Sequence, residues 1–188
     1  RDTTGEAMEY LYGEYNLGRP YAEEKRSNPK KKSLEGWLKD SADLWDLDSI
    51  VYLRPPHPIT SQSHVNKLIQ SMLHKGWKGR PLIRLGDQLL TGTHRQAALE
   101  QISRMRDEDK TLEEQIDKVG FWYGEKSIPI LNLEDYLSKK EVEEIDYIVD
   151  QDDLINFLSN SSNVPPQIVQ IYKMDLDTIK NPKKKKCC

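Results

Sequence analysis

A glycine turn between an apolar run and an amphipathic helix constrains this chain more than any other feature. Leu89-Leu90-Thr91-Gly92-Thr93-His94-Arg95-Gln96-Ala97-Ala98-Leu99 reads as a strand end, a tight turn and the opening of a helix. Gly92 admits backbone conformations closed to other residues, and Thr93 is a good N-cap whose hydroxyl can satisfy a first-turn amide. Free N–H groups at a helix start, with the helix dipole behind them, favour a phosphate or carboxylate. His94 and Arg95 add side-chain donors, Arg95 with a planar fork that suits phosphate oxygens. Turn glycines, capping threonines and exposed basic pairs also occur at helix starts that bind nothing, so the flanking sequence has to decide.

Upstream, Val65, Leu68, Ile69, Met72 and Leu73 recur at the spacing of an apolar helix face, with Ser61 or Ser63 as cap and Gly76 as the stop. Trp77-Lys78-Gly79-Arg80-Pro81 follows. Leu82 to Leu85 and Gln88 to Thr91 then flank Gly86-Asp87 and read as a hairpin. The order is helix, strand, turn, strand, Gly-Thr-His-Arg, helix.

With that order in place, residues Ile50 to about Ile130 resemble the ParB/sulfiredoxin fold. The resemblance is carried by a strand ending near Leu53-Arg54-Pro55, the helix Val65 to Lys75, Gly76 and Pro81 ahead of the strand bearing Arg84, and Gly92-Thr93-His94-Arg95 with Ala97-Ala98 behind it. It covers somewhat under half of the chain. It implies an α/β (α+β) fold: a small mixed sheet with packed helices as the ParB/sulfiredoxin-like core, flanked by helical N- and C-terminal extensions. It also implies that Gly92, Thr93, His94 and Arg95 receive nucleotide phosphates; Arg84 and Arg54 are further candidate cationic clamps, of the kind that phosphoryl transfer needs. ATP or CTP is the implied cofactor, and Mg2+ its companion.

Two departures from the family pattern matter. Thr93 stands where a sulfiredoxin has its cysteine, and the only cysteines are Cys187 and Cys188, so sulfinic acid reduction is not expected. Chromosome-partitioning ParB proteins carry a Glu-Arg-Arg version of the turn whose acid can help hold a metal. Thr93 and His94 replace its first two residues here, which leaves the Thr93 hydroxyl as the candidate metal contact.

The balance of 28 basic against 31 acidic residues, a net charge of -3, argues against sequence-independent attachment to DNA through the whole surface. A mean hydropathy of -0.78 puts much of the chain in solvent around one compact domain with attachments. The expected segments are an N-terminal helical and basic extension (1–46), the ParB/sulfiredoxin-like core (47–135), an acidic helical extension (136–180) and a polybasic Cys-Cys tail (181–188). Adjacent terminal cysteines make no disulfide framework, which points to a reducing, cytoplasmic setting. No run is apolar enough to span a membrane, and the start at Arg1 reads as a fragment or processed product.

In the first extension, Met8, Tyr10, Leu11, Tyr12 and Tyr15 suggest a short helix, and Lys30, Lys31 and Lys32 a basic loop able to contact a nucleic-acid backbone, although such runs are more often solvated loops. Leu34, Trp37, Leu38, Leu44 and Trp45 read as one amphipathic brace. Past the signature helix, with Ala98, Ile102 and Met105 inward, Arg106 to Lys118 reads as a surface helix anchored by Leu112 and Ile116. Gly120-Phe121-Trp122-Tyr123-Gly124 is an aromatic turn or a base-stacking platform, and Ile128 to Leu131 is a strand whose Pro129 implies an edge or a strand start.

Ser138 with Glu141 is a capping-box pattern within an acid-rich stretch from Glu134 to Asp153, and Asp150, Asp152 and Asp153 lack calcium-loop spacing. His57, His64, His74 and His94 show no metal spacing. His57, in the rigid Arg54-Pro55-Pro56-His57-Pro58 loop, can orient a phosphate or act as a base. The lysine run before Cys187-Cys188 reads as a flexible tail and also resembles a lipidated membrane anchor, which would suit an effector delivered into a host cell.

These readings rank a nucleotide-phosphate-binding protein that acts on DNA first, binding or cutting it as an NTP- or metal-dependent hydrolase, with His94, Arg95 and His57 as its catalytic candidates. A phosphotransferase on a small molecule or side chain comes next, then a non-catalytic secreted effector or interaction module.

Overall fold

The computed structural model describes residues 33–180, with side chains through residue 176. The early aromatic helix, the basic run Lys30 to Lys32 and the Cys187-Cys188 tail lie outside the described residues. The chain separates into two compact units, Arg1–Asp40 and Ser41–Cys188. What is described of the first is most of helix α1 (Leu34–Ser41), whose first turn is stapled by Ser33 Oγ accepting from the Gly36 amide at 3.1 Å.

The second unit is built on a mixed four-stranded sheet of order β1-β4-β2-β3, with β1 Asp43–Asp46, β2 Leu82–Leu85, β3 Gln88–Leu89 and β4 Lys126–Asn132. Mixed α/β architecture is what the sequence order implies, and the structure has it. The stretch expected as a single amphipathic brace is divided. Leu34 to Leu38 are helical, whereas Leu44 and Trp45 belong to β1, where the pleat turns Leu44 outward and Trp45 toward the core.

Strand β4 is central. It pairs antiparallel with β1 and parallel with β2, so Pro129 sits neither at an edge nor at the strand's first residue. The ladder to β2 begins at Ile130, just past the proline ring, and on that side the missing N–H falls before the first pair. The expected strand before Arg54 is instead a short helix, α2 (Leu47–Val51), because Leu47 and Ile50 face the core at helical spacing. Arg54 contributes a single bridge to Gln88.

Helix α3 (Gln62–Lys75) is capped by Ser61, whose Oγ accepts from the His64 amide, and stops at Gly76 with φ 74°. Its Val65, Ile69, Met72 and Leu73 are buried as the periodicity requires. They pack with Ala98, Leu99 and Ile102 of α4 (Thr93–Glu108) and with Leu82, Leu89, Ile128 and Ile130 of the sheet in one apolar core. Ile83 and Leu131, on the opposite face of the sheet, are equally buried.

The charged segment after α4 is not one surface helix. The chain breaks at Asp109, makes a 3-10 turn and restarts as α5 (Glu113–Lys118), and Arg106 is buried. Beyond β4 come α6 (Lys139–Ile145), α7 (Gln151–Asn160) and α8 (Pro166–Lys180). The Ser138–Glu141 capping box is formed, and Asp150 caps α7 through the Asp152 amide. Helix α8 turns Ile168, Ile171, Tyr172, Asp175 and Leu176 inward, a stripe at helical spacing, and packs on α7.

Candidate functional site

The turn before α4 is tighter than a capping threonine alone would make it. Gly92, not Thr93, is the N-cap, in the left-handed region at φ 91°, and Thr93 is the first helical residue. A side chain at residue 92 would collide with Leu82 Cδ2 and press on the Arg95 guanidinium, so the glycine is required by packing as well as by conformation. The Thr93 hydroxyl does not cap an amide. It donates to the His57 carbonyl at 3.1 Å and ties the proline-rich loop over the turn. Thr91 Oγ1 accepts from the Ile83 amide, which joins the turn to the sheet.

His94 is the hub of the site. Its Nε2 accepts from the Thr60 amide at 3.1 Å and the Ser61 amide at 3.2 Å, and therefore carries no proton in this arrangement. Two further imidazoles flank it, His64 from the first turn of α3 with ring centroids 5.3 Å apart and His57 from the loop at 6.0 Å. The fold thus gathers three histidines whose sequence spacing suggested no relation. Among the described residues no group of three or more His, Cys, Asp or Glu side chains could hold a metal ion.

The expectation that Arg95 aims its fork at an open anion position is revised. Its Nη1 donates to the Arg80 carbonyl at 2.6 Å and its Nη2 to Asp175 Oδ2 on α8 at 3.1 Å, and its guanidinium stands 5.3 Å from the Trp77 ring centre. Arg80 holds the same carboxylate from the other side, Nη2 to Oδ1 at 2.7 Å. Burial pulls the Arg95 pKa down from its usual value, the Asp175 carboxylate opposes that, and the neighbouring Arg80 charge adds to it. The anion that the Arg95 fork meets is thus one of the protein's own, the Asp175 carboxylate. The Trp77 indole N–H beside this cluster is buried without a hydrogen-bond partner among the described residues.

The other two expected clamps lie elsewhere. Arg84 stacks 4.5 Å from the Trp45 ring centre and donates to Asn132, the Gly86 carbonyl and Glu134, which braces the hairpin against the end of β4. Arg54 is exposed and paired with Asp87 at 3.1 Å. Neither partner set includes a residue of the turn, so of the predicted site residues the structure brings together Gly92, Thr93, His94, Arg95 and His57. Thr60, Ser61, His64, Trp77, Arg80 and Asp175 are the additions. Ser61 alone had a sequence signal, as a helix cap, while Asp175 is separated from Arg95 by 80 residues.

A scan of protein-family models, of curated proteins and of solved structures finds no match to this chain.

Proposed function

We propose that this chain binds the phosphates of a nucleoside triphosphate at the start of α4. The observation that supports the reading best is the convergence, on one turn, of the α4 N-terminus, the guanidinium of Arg95 and the imidazoles of His94, His64 and His57. Amides at a helix start and a fork of guanidinium donors are both matched to phosphate oxygens. A magnesium ion arriving with the nucleotide would rest mainly on phosphate oxygens, as that ion commonly does, because the Thr93 hydroxyl already donates to His57. The resemblance to ParB-like proteins extends the reading to DNA as the molecule acted upon, with Lys30 to Lys32 neutralising its backbone.

The imidazole cluster favours a second reading, phosphoryl transfer to a small molecule or side chain. Such a reaction needs a proton acceptor beside the positioned phosphate, and His57 and His64 stand next to His94.

The test is a thermal-shift and calorimetric titration of the full chain with ATP, CTP, GTP and UTP, with and without magnesium. Ligand at a hundred times its dissociation constant adds about 2.7 kcal/mol to stability. His94→Ala is expected to abolish that gain. No shift from any nucleotide at millimolar concentration sinks the proposal. If one binds, label from its γ-phosphate found on a non-nucleic-acid acceptor decides for transfer, and steeply salt-dependent DNA binding lost on neutralising Lys30 to Lys32 decides for DNA.

A further inference from the structure

We propose that Asp175 is a built-in stand-in for a phosphate, so that helix α8 keeps Arg95 engaged until a nucleotide displaces the carboxylate. This rests on the nucleotide reading above and adds a regulation to it.

Three observations carry the inference. The first is charge. Arg80 and Arg95 share one carboxylate, two guanidiniums on a single acid in a part-buried cluster. A phosphate group, with close to two negative charges at neutral pH, would balance the two guanidiniums where Asp175 cannot.

The second is position. Arg95 Nη2 and Nε lie 3.3 and 3.5 Å from where a Cβ on Gly92 would stand, and the Asp175 carboxylate is 3.1 Å from that Nη2. The guanidinium that carries the Asp175 carboxylate therefore stands against the turn itself, at the first turn of α4. The paired amides of Thr60 and Ser61 are filled in the same manner by a protein acceptor, the Nε2 of His94.

The third is attachment. Ile168, Ile171, Tyr172 and Leu176, the apolar residues that bury α8, are absent from the core around which α2, α3 and α4 pack. Exchange of the carboxylate for a phosphate would release the two ion pairs that tie α8 to Arg80 and Arg95 without touching that core.

The competing role for Asp175 is to orient Arg95 for the nucleotide, and the two roles predict opposite signs. Titration calorimetry of the full chain with ATP and with CTP, in magnesium buffer, compares wild type with Asp175→Asn, which keeps the shape and an acceptor oxygen but removes the charge. At least tenfold tighter binding by the variant is expected, with the gain lost in the Arg95→Ala, Asp175→Asn double variant. Equal or weaker binding overturns the inference and leaves nucleotide binding standing. Absence of binding by both proteins removes the nucleotide reading, and this inference with it. Hydrogen exchange on the wild type gives a readout that no variant's folding can confuse. Saturating nucleotide is expected to speed exchange of the α8 amides, and unchanged or slower exchange overturns the inference.

Discussion

The two ends of helix α4 each carry an arginine turned into the protein, and the pair are built differently. At the C-terminal end, Arg106 meets Asp48 through both its terminal nitrogens, Nη2 to Oδ1 at 2.6 Å and Nη1 to Oδ2 at 3.2 Å. It also donates to the Phe121 carbonyl and lies 3.6 Å from the Tyr123 ring centre, and a cation there suits the negative end of the helix dipole. At the N-terminal end, Arg95 works against the dipole and shares its acid with Arg80. At the first end a single guanidinium meets two acids, Asp48 and Asp107, and is aligned with the helix dipole. At the other, two guanidiniums share one carboxylate at the helix end that least favours a cation.

The comparison breaks first on stability. Arg106→Ala leaves the Asp48 carboxylate with Ser103 Oγ in place of a guanidinium and is expected to cost about 3–5 kcal/mol by urea denaturation. Arg95→Ala leaves Asp175 its bond to Arg80 and should cost only about 1–2 kcal/mol, while abolishing nucleotide binding. Equal destabilisation by the two would mean that both ends are structural. Next in size is Gly92→Ala, where a left-handed backbone and the collision with Leu82 together should remove about 3 kcal/mol. His94→Ala sharpens the contrast further. It is expected to cost about 1 kcal/mol, with faster amide exchange confined to residues 57–61.

The smallest effect concerns pH. Glu141 accepts from the Ser138 amide, Ser161 Oγ and Asn163 Nδ2, and these bonds, the Ser138 amide first, lower its pKa to about 2. A depressed acid contributes stability above its unfolded pKa of about 4.5. That contribution is lost as pH falls from there through about 2. Because Ser161 and Asn163 lie just ahead of α8, acid should loosen the frame that holds Asp175. Glu141→Gln is expected to flatten the acid limb of the stability profile between those values, and an unchanged limb would show that the clamp contributes nothing.

Local patterning made much of this legible. The apolar stripe of α3, the Ser61 cap, the hairpin at Gly86 and the capping box of α6 each follow from residues within a few positions of one another, and the structure has them. Where the reading missed, a distant partner had decided. Arg106 reads as surface charge until Asp48 is brought under it from α2. Pro129 reads as an edge residue until β2 is seen to pair only beyond it. The three histidines read as unrelated because their meeting depends on the α3 and α4 starts converging under the His57 loop.

The amino-acid sequence alone settled where a turn and two helix starts would fall, and that the side-chain donors of Thr93 and Arg95 would stand at the second of them, because glycine conformation, capping and apolar periodicity act over a few residues. Tertiary structure alone decided which acceptors those donors meet. Asp175 on α8 reaches Arg95 only once the two helices have packed, and electrostatics at about 3 Å depends on that placement far more than on separation along the chain.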